Sequence, residues 1–407
     1  MIRRKLFYKL QEHLAKKEYS IITGARQTGK TTLLKQLAEH CRQAGDPTVF
    51  LNLENRGILA DLDENPLNLL KYVPESDKRV IVFIDEIQYL GDPSHFLKLI
   101  FDDHHPEVKI VATGSSAFYM DDRFRDSLAG RKRVFQLFTC SFREYLLLGG
   151  KPDLLGELDR IISVEGSKST QIDYLRIEWE NYMLYGGYPS VITEPDKQEK
   201  VNRLKEIRDS YIKRDIQESG VANEGAFYQL FRILASQTGS LVNVNELSST
   251  LRIKHETVSN YIHVLRKCFH ISLVSPFYSN LRKELVKMPK VFVLDNGMRN
   301  CLLNNFNPLS QRVDRGEIWE NQVCRLLIDR HGIEEVRFWR TSAGNEVDFV
   351  VPDIADPVAY EAKVDQHLVN RKKYKIFEEN YPDIKMGFLW LYPFDEDFFR
   401  RIPLSDS

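Results

Sequence analysis

The chain has 407 residues, 43% of them hydrophobic and 28% charged, with a formal net charge of −1. That length predicts two or three domains, and the composition is that of an ordinary globular protein. The near-zero charge excludes a global positive field for nucleic acid, so any such binding rests on local patches.

Leu6, Leu10 and Leu14, four residues apart, predict an amphipathic helix over Arg4 to Lys16. Ile21-Ile22-Thr23 then reads as a strand running into Gly24-Ala25-Arg26-Gln27-Thr28-Gly29-Lys30-Thr31-Thr32 and a helix carrying Leu33, Leu34 and Leu37. Gly-x-x-x-x-Gly-Lys-Thr between a strand and a helix is a phosphate-binding loop. The two glycines let successive N–H groups turn toward one anion, and the helix dipole points the same way. Lys30 is expected on the β- and γ-phosphates of ATP, and the Thr31 hydroxyl on Mg²⁺. Thr48 to Leu53 is the next strand candidate.

Val80-Ile81-Val82-Phe83-Ile84 is a continuous apolar run, the mark of a strand covered on both faces, and it ends in Asp85-Glu86. Asp85 is expected to hold Mg²⁺ through a water, and Glu86 to polarise the attacking water. Val108 to Gly114 is a third core strand, expected beside the other two, with Thr113 or Ser115 within reach of the γ-phosphate or that water. Arg123, Arg125, Arg131, Lys132 and Arg133 follow. Arg131 is the first candidate for an arginine finger onto a neighbouring subunit, and Arg125 the second.

From Gly225 the pattern changes to short helices. Phe227, Leu230, Phe231 and Leu234 share one face, Val244 to Leu251 is a second helix and Lys254 to Leu265 a third. Strand-like pieces follow at Ile271 to Pro276 and Lys290 to Leu294. That order predicts a winged helix. Arg252, Lys254, Arg266, Lys267, Arg282, Lys283, Lys287 and Lys290 face only Glu256 and Glu284 in this stretch. With His255, Ser259, Asn260 and Tyr261, the excess suits a DNA backbone and groove. The same module serves equally as a docking site for a protein partner.

Glu317 to Leu327 opens a helix, and two strands come after it. Alternation puts Glu346 and Asp348 on one face of the first, and Glu361 and Lys363 on one face of the second. Where the polar faces meet, Asp348 and Glu361 would form an oxygen-rich Mg²⁺ or Mn²⁺ site, completed by Glu320, with Lys363 orienting water or steadying a phosphate. The other reading is a structural ion pair. Asp348, Glu361 and Lys363 in this placement resemble the PD-(D/E)xK nuclease superfamily, with Val347 in place of the leading proline.

Several further motifs stand out: Phe83-Ile-Asp-Glu-Ile-Gln88, Ala112-Thr-Gly-Ser-Ser-Ala117, Leu128-Ala-Gly-Arg131, Phe142-Arg-Glu-Tyr145, Leu184-Tyr-Gly-Gly-Tyr-Pro189 and Tyr211-Ile-Lys-Arg-Asp-Ile216. Together with the phosphate loop, these resemble AAA+ ATPases that carry a C-terminal DUF4143 region. The resemblance covers nearly the whole chain. It implies an α/β fold: a P-loop parallel sheet with a helical lid, then an α+β winged helix and an α/β restriction-endonuclease-like domain. The expected bounds are 1–150 for the core, 151–222 for the lid, 223–300 for the winged helix and 301–407 for the nuclease-like part. Gly29, Lys30, Thr31, Asp85, Glu86 and Ser115 are then the nucleotide residues.

The five cysteines are scattered and form no Cys-x-x-Cys, which suggests reduced thiols in a cytoplasmic protein. No apolar run is long enough to span a membrane, and the N-terminus shows no signal core. The expected function is ATP hydrolysis coupled to work on or with DNA. The alternative is a nucleotide-regulated switch or scaffold for a protein partner. A homo-oligomer is required only by the arginine-finger reading.

Overall fold

The computed structural model describes residues 2–114, 128–219, 221, 223–278 and 288–404, and of 211–219 the backbone alone. Ser115, Arg123, Arg125, Arg282, Lys283 and Lys287 lie outside the described residues. The chain divides into two compact units. Unit 1 is Met1–Thr139 with Lys267–Phe269; unit 2 is Cys140–Arg266 with His270–Ser407.

Unit 1 holds helices α1 (Lys5–His13), α2 (Lys30–Gln43), α3 (Arg56–Glu64) and α4 (Pro93–His104). Its strands are β1 (Tyr19–Thr23), β2 (Thr48–Asn52), β3 (Val80–Asp85), β4 (Val108–Gly114) and β5 (Lys132–Gln136). The sheet order is β2-β3-β4-β1-β5, and all neighbours are parallel. β1, β3 and β4 are buried at every residue, as expected of strands covered on both faces. Alternate residues feed two cores. Ile21, Val82, Ile84 and Ile110 pack with Phe96, Leu97 and Ile100 of α4. Ile22, Phe83 and Val111 pack with Leu33, Leu34 and Leu37 of α2 and Phe7 and Leu10 of α1. β1 and β4 are adjacent, but their onward connections run in opposite directions. A crevice therefore opens beyond their carboxyl ends.

The first helix stops at His13, short of the expected Lys16. The buried Lys109 ammonium accounts for this: it takes the carbonyls of His13 (2.9 Å), Lys16 (3.2 Å) and Glu18, which fixes the chain in a turn.

Unit 2 begins with α5 (Phe142–Leu148), α6 (Pro152–Ser163), α7 (Ile172–Tyr185), α8 (Pro189–Ile192) and α9 (Lys197–Ser219). Next come α10 (Glu224–Ser236), α11 (Val244–Leu251), α12 (His255–Lys267), β6 (Ile271–Pro276) and β7 (Lys290–Val293). The chain ends with α13 (Asn296–Leu303), α14 (Arg315–His331), β8 (Arg337–Arg340), β9 (Glu346–Val351), β10 (Val358–Asp365), α15 (Lys375–Asn380), β11 (Lys385–Tyr392) and α16 (Glu396–Arg401).

One mixed sheet, β11-β10-β9-β8-β6-β7, runs through this unit. Its strands run from Ile271 to Tyr392, so it is continuous across the expected bound at 300, and the division into compact units falls after Thr139. The cause is long-range pairing. Ser275 and Pro276 of β6 pair in parallel with Arg337 and Phe338 of β8. Asn300 donates to the carbonyls of Met183 and Leu184 (3.1 and 2.9 Å), and Gly187 N donates to Asp295 (2.8 Å). A Cβ on Gly297 would sit 2.1 Å from the Tyr185 carbonyl oxygen, so only glycine lets α13 approach the Leu184–Pro189 motif. Phe142 packs edge-on to Trp179, with ring centroids 4.8 Å apart, and this ties α5 into the same core.

Candidate nucleotide site and a second acidic cluster

β1 delivers the chain into the loop at Gly24. A Cβ there would meet the Leu137 carbonyl oxygen at 2.1 Å, so the close approach of loop and β5 exit demands glycine. Gly29 caps α2 with φ 95°. The Thr28 hydroxyl is buried and donates to the Ala25 carbonyl (2.8 Å), closing the loop on itself. Lys30 is 5% exposed, and its ammonium donates to the carbonyls of Gly24 (3.0 Å) and Ala25 (2.8 Å). The cation is therefore held over the cradle by backbone dipoles. Arg26 is half-buried, and Gln27 and Thr32 are exposed.

The second half of the site comes from β3. Asp85 is 2% exposed, and its Oδ1 accepts from Thr31 Oγ1 (3.2 Å) and Thr113 Oγ1 (2.5 Å). Thr113 in turn accepts from Glu86 N (3.1 Å). The expectation that Thr113 reaches phosphate or water is thus replaced: its buried hydroxyl sets Asp85 and the turn at Glu86. Glu86 stands in the left-handed region (φ 61°, ψ 47°), an uncommon state for a residue with a Cβ, and its carboxylate accepts from Gln88 Nε2. Thr31 and Asp85 offer hard oxygen donors, and among the described residues no cation pairs with Asp85. That donor set fits Mg²⁺.

Arg131 lies at the other end of the sheet. Its carbonyl accepts from Tyr19 N (2.8 Å), and its guanidinium grips Asp102 at 2.6 and 3.2 Å. The length of β1, about 16 Å at ~3.3 Å per residue, separates it from its own phosphate loop.

In unit 2, Asp348 (8% exposed) and Glu361 (5%) do come together. The β9–β10 ladder runs as far as Phe349 and Tyr360. Beyond it the carboxylates replace the ladder bonds: Glu361 accepts from Asp348 N (3.2 Å) and Asp348 from Ala362 N (2.9 Å). Lys363 pairs with Glu361 and stands 3.6 Å from Asp348. Burial, then the Asp348 charge, pushes the Glu361 carboxyl up to about 7. The same two causes push Glu320 up to about 8.

Lys290 of β7, expected among the DNA-facing cations, is 2% exposed. It pairs with Glu320 (3.1 Å) and Glu346 (2.6 Å) and lies 4.0 Å from Asp348. Burial acts against its charge, but Glu320, Asp348 and Glu346 together hold its ammonium above the ordinary range. Among the described residues, no group of three or more His, Cys, Asp or Glu side chains is placed to hold a metal ion. Asp348, Glu361 and Glu320, expected as a metal centre, stand in an acid–lysine network in this structure.

On α12, Lys254, just before it, and His255, Ser259 and Asn260 are exposed, whereas Arg266 and Lys267 are half-buried. Arg266 pairs with Glu334 (3.1 Å). Tyr261 does not face a groove; it is 2% exposed and stacks edge-on to Phe227 at 5.3 Å. Three partners escaped the sequence reading. Arg4 donates to the carbonyls of Thr28 (3.0 Å), Phe138 (3.0 Å) and Thr139 (3.3 Å), Gln88 holds Glu86, and the Tyr374 hydroxyl bonds Glu361. Gln88, inside the Phe83–Gln88 motif, was the one with a visible signal.

Comparison with known families matches residues 16–146 to the AAA domain model AAA_14. The N-terminal segment is thus similar to that AAA domain family. Residues 176–309 match a domain of unknown function, DUF8612, and residues 315–404 match another, DUF4143. Uncharacterized protein MJ1637 of Methanocaldococcus jannaschii is 26% identical over 333 residues, covering 77% of this chain and 68% of its own length. A Haemophilus influenzae uncharacterized protein is 27% identical over 290 residues (69% and 68%). Uncharacterized protein Rv2008c of Mycobacterium tuberculosis is 23% identical over 372 residues (89% and 74%).

Among solved structures, the Aeropyrum pernix ORC1 protein in complex with DNA overlaps 75% of this chain and 93% of its own (14% identity, TM-score 0.32). The Thermotoga maritima RuvB Holliday junction branch migration motor overlaps 70% and 95% (16% identity, TM-score 0.34). Overlaps this loose carry no argument about mechanism. Among the described residues, no helix is long and apolar enough to cross a membrane.

Proposed function

We propose that residues 24–32 bind Mg²⁺-ATP and that Asp85 and Glu86 turn binding into hydrolysis. The observation that carries this reading is the 3.2 Å contact between Thr31 and Asp85, 54 residues apart, which joins loop and acid strand in one site. When bound, the nucleotide supplies a transferable phosphoryl group. Lys30 and the loop amides neutralise and orient the phosphates, and Thr31 and Asp85 hold Mg²⁺. Glu86 orients and polarises water, with Gln88 fixing its carboxylate. Arg131 is a finger only toward a second copy of the chain, because it stands a strand's length from its own loop. The test is Glu86→Gln: ATP binding is retained and turnover falls. Unchanged turnover would remove Glu86 from the reaction.

We further propose that hydrolysis serves work on or with DNA. The support is the exposed set Lys254, His255 and Asn260, with Arg266 and Lys267 one to two turns on. A salt-dependent shift of DNA mobility, lost on reversing Lys254, Arg266 and Lys267, is the expected result. Equal shifts by wild type and the triple variant would remove this surface. A second reading is a nucleotide-regulated switch for a protein partner, with the nuclease-like part inactive. It is favoured by the two lysines that sit among Asp348, Glu361, Glu320 and Glu346. Mn²⁺-dependent DNA cleavage abolished by Asp348→Ala or Lys363→Ala would sink it.

A further inference from the structure

The acidic cluster of unit 2 is organised around a residue outside the Asp…Glu-x-Lys pattern. Lys290 comes from β7, 30 residues before Glu320 and 58 before Asp348. Its ammonium meets carboxylates from two elements, Glu320 of α14 and Glu346 and Asp348 of β9, at 3.1, 2.6 and 4.0 Å. The Phe338 ring covers it at 5.5 Å. Lys363 stands on the far side of Asp348, and Arg340 pairs with Glu346 at 3.4 Å. Four carboxylates, counting Glu361 beside Lys363, therefore face three cations, and the central one is itself buried.

The backbone holds Lys290 from both sides. It pairs antiparallel with Val274 of β6 and bridges Leu241 on its other edge. Gly239 N donates to the Val291 carbonyl and Val242 N to the Pro289 carbonyl, both at 2.8 Å. A Cβ on Gly239 would lie 2.8 Å from Glu320 Oε2, so the strap that braces Lys290 also presses against the carboxylate it pairs with. With its backbone paired on both edges and its ammonium buried among carboxylates, Lys290 does not swing away like a surface lysine.

We propose that Lys290 is a built-in counter-cation: its ammonium occupies the place that Glu320, Glu346 and Asp348 would otherwise offer a divalent ion, and so closes the cluster to metal. This rests on the reading in which the nuclease-like part is inactive. Its chemistry is simple. Carboxylates gathered in a buried site require positive charge, and a lysine or a hard divalent cation can supply it, but both cannot stand in one place. The lysine has the further effect of stapling the β6–β7 hairpin to α14 and β9.

The test uses the full chain without nucleotide, and the probe is Mn²⁺ alone, with free Mn²⁺ read by electron paramagnetic resonance. Asp85→Asn is the background, removing the acid of the N-terminal site. In that background Asp348→Asn is expected to change nothing. Lys290→Gln is expected to create one Mn²⁺ site, roughly tenfold or more tighter than the background, and Asp348→Asn is expected to remove it again. Lys290→Met, in case Lys290→Gln fails to fold, repeats the experiment with a linear apolar side chain, and circular dichroism checks both.

If the background binds Mn²⁺ through Asp348, the native cluster is open and both the proposal and the inactive-site reading fail. If neither the background nor the folded Lys290 variants bind Mn²⁺, the inactive-site reading stands but Lys290 is not what closes the site. Even if neither Lys290 variant folds, Asp348-dependent Mn²⁺ binding in the background overturns the proposal.

Discussion

The two acidic sites use the same residue types in opposite ways. In unit 1, Lys30 is anchored by the Gly24 and Ala25 carbonyls, and Asp85 by the hydroxyls of Thr31 and Thr113. The Lys30 ammonium and the Asp85 carboxylate are each held by dipoles rather than by one another, the arrangement that the proposed phosphate and Mg²⁺ roles require. In unit 2, Lys290 and Lys363 sit directly on the acids. Dipoles can hold a charge in position without neutralising it; a counter-ion neutralises it. A carboxylate's availability to metal therefore depends on its neighbours more than on its own motif.

The largest expected effect is on the open site. Lys30→Ala should weaken ATP binding by about 100-fold or more, measured calorimetrically, because it removes the buried ammonium that the Gly24 and Ala25 carbonyls hold over the cradle. Glu86→Gln should lower turnover by roughly 10²–10⁴-fold with affinity nearly unchanged, measured by phosphate release. Affinity and turnover falling together would mean that Glu86 shapes the site rather than acting on water.

The closed site should respond in stability instead. Lys290→Met leaves buried carboxylates without their cation and should cost unit 2 about 3 kcal/mol in denaturant unfolding. A loss below ~1 kcal/mol would show the pairs to be solvent-screened. The pH dependence has a defined sign. Glu320 and Glu361 are raised from 4.5 to about 8 and about 7 in the folded state. Between those limits the folded state holds more protons than the unfolded one. This contribution is full below pH 4.5 and is lost as pH rises through 7 to 8. The melting midpoint of unit 2 should fall across that window, and Glu320→Gln should flatten the fall. The smallest effect is at Arg4. Arg4→Met removes bonds to Thr28, Phe138 and Thr139 and should weaken ATP binding by about fivefold, with Arg4→Lys recovering part of it.

The open site was legible in the sequence because its parts are local. Gly24 to Thr32 is one contiguous stretch, and the apolar run before Asp85 announces a covered strand. The adjacency of β1, β3 and β4 followed from the usual rules of connection. The closed site was only half legible. Alternation put Asp348, Glu361 and Lys363 on meeting faces, but nothing near them points to Lys290. Read as a surface cation, Lys290 is buried because β7 joins the same sheet as β8 and β9. The β6–β8 pairing, which crosses the expected bound at 300, was equally hidden: it spans more than sixty residues and leaves no periodicity to read. Tyr261 looked polar enough for a groove, yet its ring completes the α10–α12 core.

Titrating Mg²⁺-ATP into the purified 407-residue chain, beside Lys30→Ala, tests the central claim most directly. A saturable isotherm for the native chain and a flat one for the variant is the expected pair. A flat isotherm for the folded native chain, or the same saturation in both, would contradict the account.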